Sequence, residues 1–337
     1  MKSLVCTKPQ QFDYQKIDHP NLSKGHAILK VKRLGICGTD LHAFEGTQPY
    51  FSYPRILGHE LACEIFEIEE NTDFNVGDAV TFIPYFSCEK CIACRKGKPN
   101  CCTNLQVFGV HIDGGMSEFI NVPTQYLVRS EGLSFDELAL VEPLAIGCHG
   151  VNRANVQAGE FVLVVGAGPI GLGTMEFAKI AGAKVIALDV NESRLKFCQE
   201  KLNINFTINA LSDDVFARLQ EITNNDMPTV IIDATGSLRA IENAFQYLAH
   251  GGSYVLVGLQ KSKISFSHPD FHKREATLMS SRNATRKDFE QVIDAMKKGF
   301  INPTNYITHR VDFKQVKDNF ESWLNPENGV IKAMVSF

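Results

Sequence analysis

The chain has 337 residues, 44% hydrophobic and 21% charged, with a formal net charge of -4. That length is too great for one ordinary core and points to about two globular domains. The charge offers no basic footprint for nucleic acid, and no apolar run reaches the ~18 residues of a membrane span.

In chain order, residues 1–35 alternate short apolar runs with Pro, Gly and Lys, the pattern of an irregular, largely antiparallel β domain. The opening Met1-Lys2-Ser3-Leu4-Val5-Cys6 is broken too soon by Lys8 and Pro9 for a signal peptide, so a cytoplasmic protein is expected. In a reducing compartment its ten cysteines bind metal more readily than they pair. Next comes Gly35-Ile36-Cys37-Gly38-Thr39-Asp40-Leu41-His42, and about twenty residues on, Gly58-His59-Glu60. Cys, His and Glu are zinc ligand types, and three protein ligands plus one open position make a catalytic zinc. Cys37, His59 and either Glu60 or Glu142 are therefore the candidate ligands. Asp40 is placed either to accept a hydrogen bond from His59 and fix its tautomer, or to cap a turn.

Residues 61–68 and 76–82 read as strands joined by a turn at 71–77. Cys88, Cys91 and Cys94, with Cys101-Cys102 close behind, can wrap one ion tetrahedrally in a hydrophilic lobe with little core of its own. Four thiolates leave no open position, so this is a structural zinc; spacing alone does not choose between Cys101 and Cys102. A strand is expected over 117–122 and helical spacing runs over 138–153, with Val141-Glu142-Pro143 near its start. A carboxylate in that apolar stretch needs a partner, either the ion or the positive end of the helix.

Residues 161–165 form an unbroken apolar run suited to a buried parallel strand. Gly166-Ala167-Gly168-Pro169-Ile170-Gly171 follows at once and opens a helical pattern to 181, the context that gives a glycine-rich turn its meaning as a pyrophosphate cradle. The second strand, 184–188, ends at Asp189, which can bind ribose hydroxyls and would repel a 2′-phosphate. NAD is expected over NADP, although Arg194 is near enough to accommodate a phosphate. Strands at 230–234 and 253–257 around a helix at 238–248 continue a doubly wound parallel sheet. Two helical patterns over 285–324 and a last strand at 330–335 close the chain.

A zinc ion lowers the pKa of an alcohol, and a nicotinamide takes hydride from it. The Cys37 thiolate and one carboxylate neutralise the ion, so Glu60 and Glu142 are not expected to ligate together once the substrate is deprotonated. Thr39 is placed to pass the hydroxyl proton outward, through the cofactor ribose to His42. A non-catalytic sensor working through Cys101 or Cys148 would need no open metal position.

These motifs together resemble the zinc-dependent medium-chain alcohol dehydrogenases, in the polyol (sorbitol-type) branch. The likeness runs over nearly the whole chain. It implies an α/β protein with a split GroES-like β-rich catalytic domain (1–149 and 285–337) around a Rossmann domain (150–284). It also implies Cys102 as the fourth ligand of the lobe, and a homodimer or homotetramer. The Glu142 position carries Cys in the alcohol-type branch, which favours a polyol or sugar-acid substrate. The segments 48–55, 271–275 and 281–285, with Asn100-Cys101-Cys102, are similar to members acting on hexonates such as L-galactonate. Arg282, Lys273 and Arg274 are then candidates for the substrate carboxylate. Threonine and glucose dehydrogenases of the family are the alternative.

Overall fold

The computed structural model describes residues 1–49, 51–69 and 73–337. Tyr50 of the hexonate-like segment, and Asn71 and Thr72 of the expected turn, lie outside the described residues. Two compact units result: Met1–Pro143 with Thr285–Phe337, and Leu144–Ala284.

The first unit opens with β1 (Lys2–Lys8), β2 (Gln11–Lys16) and β3 (His26–Gly35). The helix Gly38–Glu45, β4 (Arg55–Ile56), β5 (Glu60–Ile68) and β6 (Ala79–Phe82) follow. Then come the short β7 (Tyr85–Phe86) and β8 (Gln106–Val107) flanking the cysteine lobe, and β9 (Phe119–Pro123) and β10 (Leu127–Arg129). The helical spacing at 138–153 resolves into two helices, Phe135–Ala139 and Val141–Ala154. Glu137 closes a capping box with Ser134 at the start of the first, which ends at its C-cap residue Leu140.

The second unit is the expected parallel sheet. Its strands are β11 (Phe161–Val165), β12 (Lys184–Asp189), β13 (Phe206–Asn209), β14 (Val230–Asp233), β15 (Ser253–Leu256) and β16 (Thr277–Ser280). They pair in the order β13-β12-β11-β14-β15-β16, every pair parallel. Leu163, Val165, Ile186, Leu188 and Ile231 meet Leu219, Ile241 and Tyr254 in its core. The helix expected over 238–248 is shorter, Leu238–Ala244 followed by a tight turn at Phe245–Tyr247.

The chain then returns to the first unit through the helix Arg286–Lys297, β17 (Ile307–Asp312) and β18 (Lys332–Ser336). The second helical pattern expected before residue 324 is not one long helix. The span after Lys297 holds β17, paired parallel to β18, and of it only Val316–Asn319 is α-helical. The completed sheet runs β10-β6-β5-β3-β18-β17, with β9 also on β3. Leu29, Val31, Leu34, Leu61, Cys63, Ile65, Ala333 and Val335 pack into one core with Phe12, Phe44, Phe320 and Trp323. Because strand side chains alternate, the residues one position off this set, Glu60 and Lys332, are directed to the opposite face.

Candidate metal centre and nucleotide turn

Three of the candidate ligands stand at strand ends, Cys37 just after β3 and His59 and Glu60 at the start of β5. Cys37 follows the end of β3 and is the N-cap residue of the helix Gly38–Glu45. His59 and Glu60 stand at the start of β5, with Glu60 opposite Gly35 in the β3–β5 register. One ligand atom each from Cys37, His59 and Glu60 fall within 4.8 Å of one another, His59 and Glu60 being buried. A thiolate, an imidazole and a carboxylate at that separation suit a zinc ion with one open position.

Asp40 takes the capping role. It accepts from the Cys37 N–H at 2.9 Å and the Gly58 N–H at 3.0 Å, tying together the two segments that carry the ligands. His59 Nδ1 lies 3.9 Å from Asp40 Oδ1, beyond hydrogen-bond reach, and is a buried ring nitrogen with no hydrogen-bond partner. Burial pushes the His59 pKa down, but the Cys37 thiolate and the Asp40 and Glu142 carboxylates outweigh it and hold it well above the usual value. Cys37, Asp40 and Glu142 thus make a setting around His59 that favours positive charge.

Glu142, in the first turn of the helix Val141–Ala154, is buried and accepts a hydrogen bond from the Tyr85 hydroxyl. Burial pushes its carboxyl up to about 7, with His59 pulling the other way. Glu60 is bound differently. Lys332 Nζ donates to both of its oxygens at 2.6 Å and to the Ile36 carbonyl at 3.1 Å. Neither Tyr85 nor Lys332 is among the residues singled out from sequence. Lys332 left a signal, a lone ammonium inside the apolar run Val330-Ile331-Lys332-Ala333-Met334-Val335. Tyr85 left none.

Thr39 is half-buried one turn before His42 on the helix Gly38–Glu45. His42 is exposed, 3.3 Å from Glu45 and 3.4 Å from the Thr47 hydroxyl. In the lobe, the sulfurs of Cys88, Cys91, Cys94 and Cys102 lie within 4.8 Å of one another, while Cys101 is exposed and outside the group. Cys91 and Cys94 Sγ are 3.4 Å apart, close to the ~3.8 Å edge of a tetrahedron with Zn–S bonds of ~2.3 Å. Backbone N–H groups of Cys88 and Asn104 point at Cys102 Sγ at 3.2 and 3.3 Å. The Cys94 and Thr103 backbone amides bring the Cys91 thiol down to about 5. All ten cysteines are free thiols.

In the second unit the glycine turn joins β11 to the helix Pro169–Ile180. Gly168 is its N-cap residue, without a side-chain cap, and Pro169 stands in its first turn. Gly166 has φ +101°, and a Cβ on Gly171 would sit 1.8 Å from the Gly166 carbonyl oxygen, so no other residue fits there. Ile170 follows Pro169 in the first helical turn, where backbone N–H groups have no intrahelical partner. Asp189 accepts from the Ala167 N–H at 2.6 Å and the Asn191 N–H at 2.8 Å, which fixes the second strand's end against the turn. Arg194 stands in the first turn of the helix Glu192–Leu202. Of the candidate carboxylate binders, Lys273 pairs with Asp270, and Arg274 donates to the Leu248 and Asp270 carbonyls.

Comparison with known proteins accords with this inventory. The alcohol dehydrogenase GroES-like domain family matches residues 23–132, and the zinc-binding dehydrogenase family matches residues 169–298. The chain is 40% identical to L-galactonate-5-dehydrogenase of Escherichia coli K12 over 338 residues, covering 100% of this chain and 99% of that one. It is 31% identical to a sorbitol dehydrogenase of Halalkalibacterium halodurans, covering 92% of each. Among solved structures, an alcohol dehydrogenase (RspB) of Escherichia coli CFT073 complexed with NADH superposes with a TM-score of 0.92 at 32% identity, covering 100% of this chain and 99% of that one. The chain is an oxidoreductase of the zinc-binding alcohol dehydrogenase family, built from a GroES-like and a Rossmann-type domain.

Proposed function

We propose that the chain oxidises a secondary hydroxyl of a sugar acid or polyol, with hexonates of the L-galactonate kind first, and passes the hydride to NAD. The observation that carries this reading is the grouping of half-buried Cys37 with buried His59 and Glu60 in a chain 40% identical over its full length to an L-galactonate-5-dehydrogenase. Cys37, His59 and Glu60 would hold the catalytic zinc, with Glu142 beside them on Tyr85. Cys88, Cys91, Cys94 and Cys102 would hold the structural one. When bound, the catalytic ion supplies Lewis acidity that lowers the pKa of the substrate hydroxyl.

The chain's own residues do the rest. Asp40 holds the Cys37 and Gly58 backbones in place, so the ligand positions are set before anything binds. Thr39 and His42 lie three apart on one helix, hence on one face, with Thr39 half-buried and His42 in solvent. That order suits a proton that would leave the substrate hydroxyl by way of Thr39 toward His42 and solvent. Catalysis belongs to the first unit and nucleotide binding to the second. Gly166, Gly168, Pro169, Ile170 and Gly171 would cradle the pyrophosphate. Each Asp189 oxygen keeps a lone pair for a ribose hydroxyl beyond the amide it already accepts, which supports NAD over NADP despite Arg194.

A homodimer or homotetramer is supported by β16, an edge strand carrying the exposed Leu278, since an open edge is a template for a second copy. The ten free thiols suit a cytoplasmic setting. The test is a substrate panel of L-galactonate and other hexonates, sorbitol and other polyols, threonine and glucose, each with NAD and NADP, followed by near-ultraviolet absorbance of the reduced cofactor. Hexonate turnover with NAD that is lost in Cys37→Ser is expected. Turnover of threonine or glucose alone, or activity indifferent to Cys37→Ser, refutes the proposal.

A further inference from the structure

The buried ion pair Glu60–Lys332 has a construction of its own. In the sheet order β5-β3-β18, the strand β3 lies between the two partners. Gly35 pairs with Glu60 on one side and with Met334 on the other. To meet, the two side chains must cross β3, and they do so at Gly35. A Cβ there would stand 2.2 Å from Glu60 Oε2. Glu60 is fully buried and the Lys332 side chain is 3% exposed, so water cannot replace either partner.

We propose that Lys332 is a positioning residue of the metal centre. Its ammonium holds the Glu60 carboxylate over Gly35 and sets how much of that carboxylate's charge reaches the ion. The inference rests on the dehydrogenase reading above. Cys37, Glu60 and Glu142 bring three negative charges to a divalent ion, and Asp40 adds a fourth behind His59. Lys332 returns one positive charge, bonded to both Glu60 oxygens. Each oxygen retains a lone pair, so Glu60 can serve Lys332 and an ion together. The ammonium then makes Glu60 a weaker donor and keeps the second carboxylate, Glu142, tolerable nearby.

The test compares the full-length protein with Lys332→Gln and Lys332→Arg. Zinc affinity is read by competition with a chromophoric chelator, and Tm is read with and without zinc. With Gln, Glu60 loses its cation and turns to the ion, so zinc affinity at the centre rises by about tenfold. The zinc-free protein melts lower, and the zinc-induced rise in Tm is larger than in the wild type. The acid limb of the turnover pH profile moves up by about one unit, because the centre is more negative. Arg keeps the charge and behaves as wild type. In a Glu60→Gln background, where both carboxylate and ammonium can be removed without leaving a buried charge, Lys332→Gln changes zinc affinity by less than about twofold. Unchanged zinc affinity and pH profile in Lys332→Gln, or an undiminished effect in the Glu60→Gln background, overturns the role of Lys332. The dehydrogenase reading falls separately, by a wild type that holds only one zinc per chain and loses none in Cys37→Ser.

Discussion

Gly35→Ala is the most informative single change in the first unit, because its sign is in question before its size. Gly35 is not among the residues with positive φ, so its backbone accepts alanine. A glycine in such a conformation ordinarily gains about 0.4–1 kcal/mol on replacement by alanine, through the unfolded chain. Here the added methyl meets Glu60 Oε2 at 2.2 Å, Glu60 Cβ at 3.2 Å and Glu60 Cδ at 3.3 Å. The carboxylate must retreat by roughly 1 Å to reach ordinary contact. It has nowhere cheap to go, since both oxygens are bonded to Lys332 at 2.6 Å and the site is closed to water. Separating a buried pair costs on the order of 3–5 kcal/mol when one partner is removed; a strained but surviving pair loses less, so about 2–3 kcal/mol is expected. For a unit of this size ~1 kcal/mol moves Tm by about 2–4 °C, so Tm falls by roughly 4–12 °C. Chemical denaturation and a thermal scan of zinc-free protein measure it. In a background with Glu60→Ala and Lys332→Met the same change is expected to be neutral or stabilising. A Gly35→Ala protein as stable as the wild type, or more so, refutes the crossing of β3 by this ion pair.

Three further outcomes follow from the same geometry. Cys94→Ser removes one of four grouped thiols, so zinc content falls by one equivalent per chain. Limited proteolysis then opens the segment 88–105, which has little core to hold it without metal. The Glu142 carboxyl, raised to about 7 by burial, favours the folded state while it is protonated. In zinc-free protein its contribution is therefore full below about pH 4.5 and lost as pH rises through about 7, an effect of at most ~3 kcal/mol. Urea denaturation at pH 5 and pH 8 measures that loss, and Glu142→Gln flattens it. Asp189→Ala removes the acceptor of the Ala167 and Asn191 amides. It raises the KM for NAD by about tenfold and narrows the preference over NADP, measured with saturating alcohol substrate.

What the sequence made legible is what chemistry keeps local. Cys37 and His59 stand out only together with a carboxylate, because all three are zinc ligand types. The turn from Gly166 to Gly171 is recognisable because strand, glycines and helix adjoin in the chain. Asp40 was ambiguous for a physical reason. Its carboxylate has more acceptor sites than one partner uses, and the two backbone amides of Cys37 and Gly58 lie nearer than His59 Nδ1. The missed Tyr85 is 57 positions from Glu142, and the missed Lys332 is 272 positions from Glu60. No local pattern reports a partner at that separation.

The strand β17 and the buried Lys332 share one origin. Ile307–Asp312, inside the span 285–324 expected to hold two helical patterns, is a strand because β18 pairs with it in parallel; Lys332 is the first residue of β18 itself. Its alternation of half-buried and exposed residues is that of a strand with one covered face, but six residues of period two between helical turns are outvoted in any longer window. Both facts depend on the chain's return to the first unit after the whole of Leu144–Ala284. β18, late in the chain yet beside β3 in the sheet, is specified by the pairing edge of β3 rather than by its own neighbours in sequence. That is also why it is suited to carry Lys332: the pair with Glu60 can form only when both segments of the first unit are in place, so the centre is completed by the fold as a whole and not by the motif that announces it.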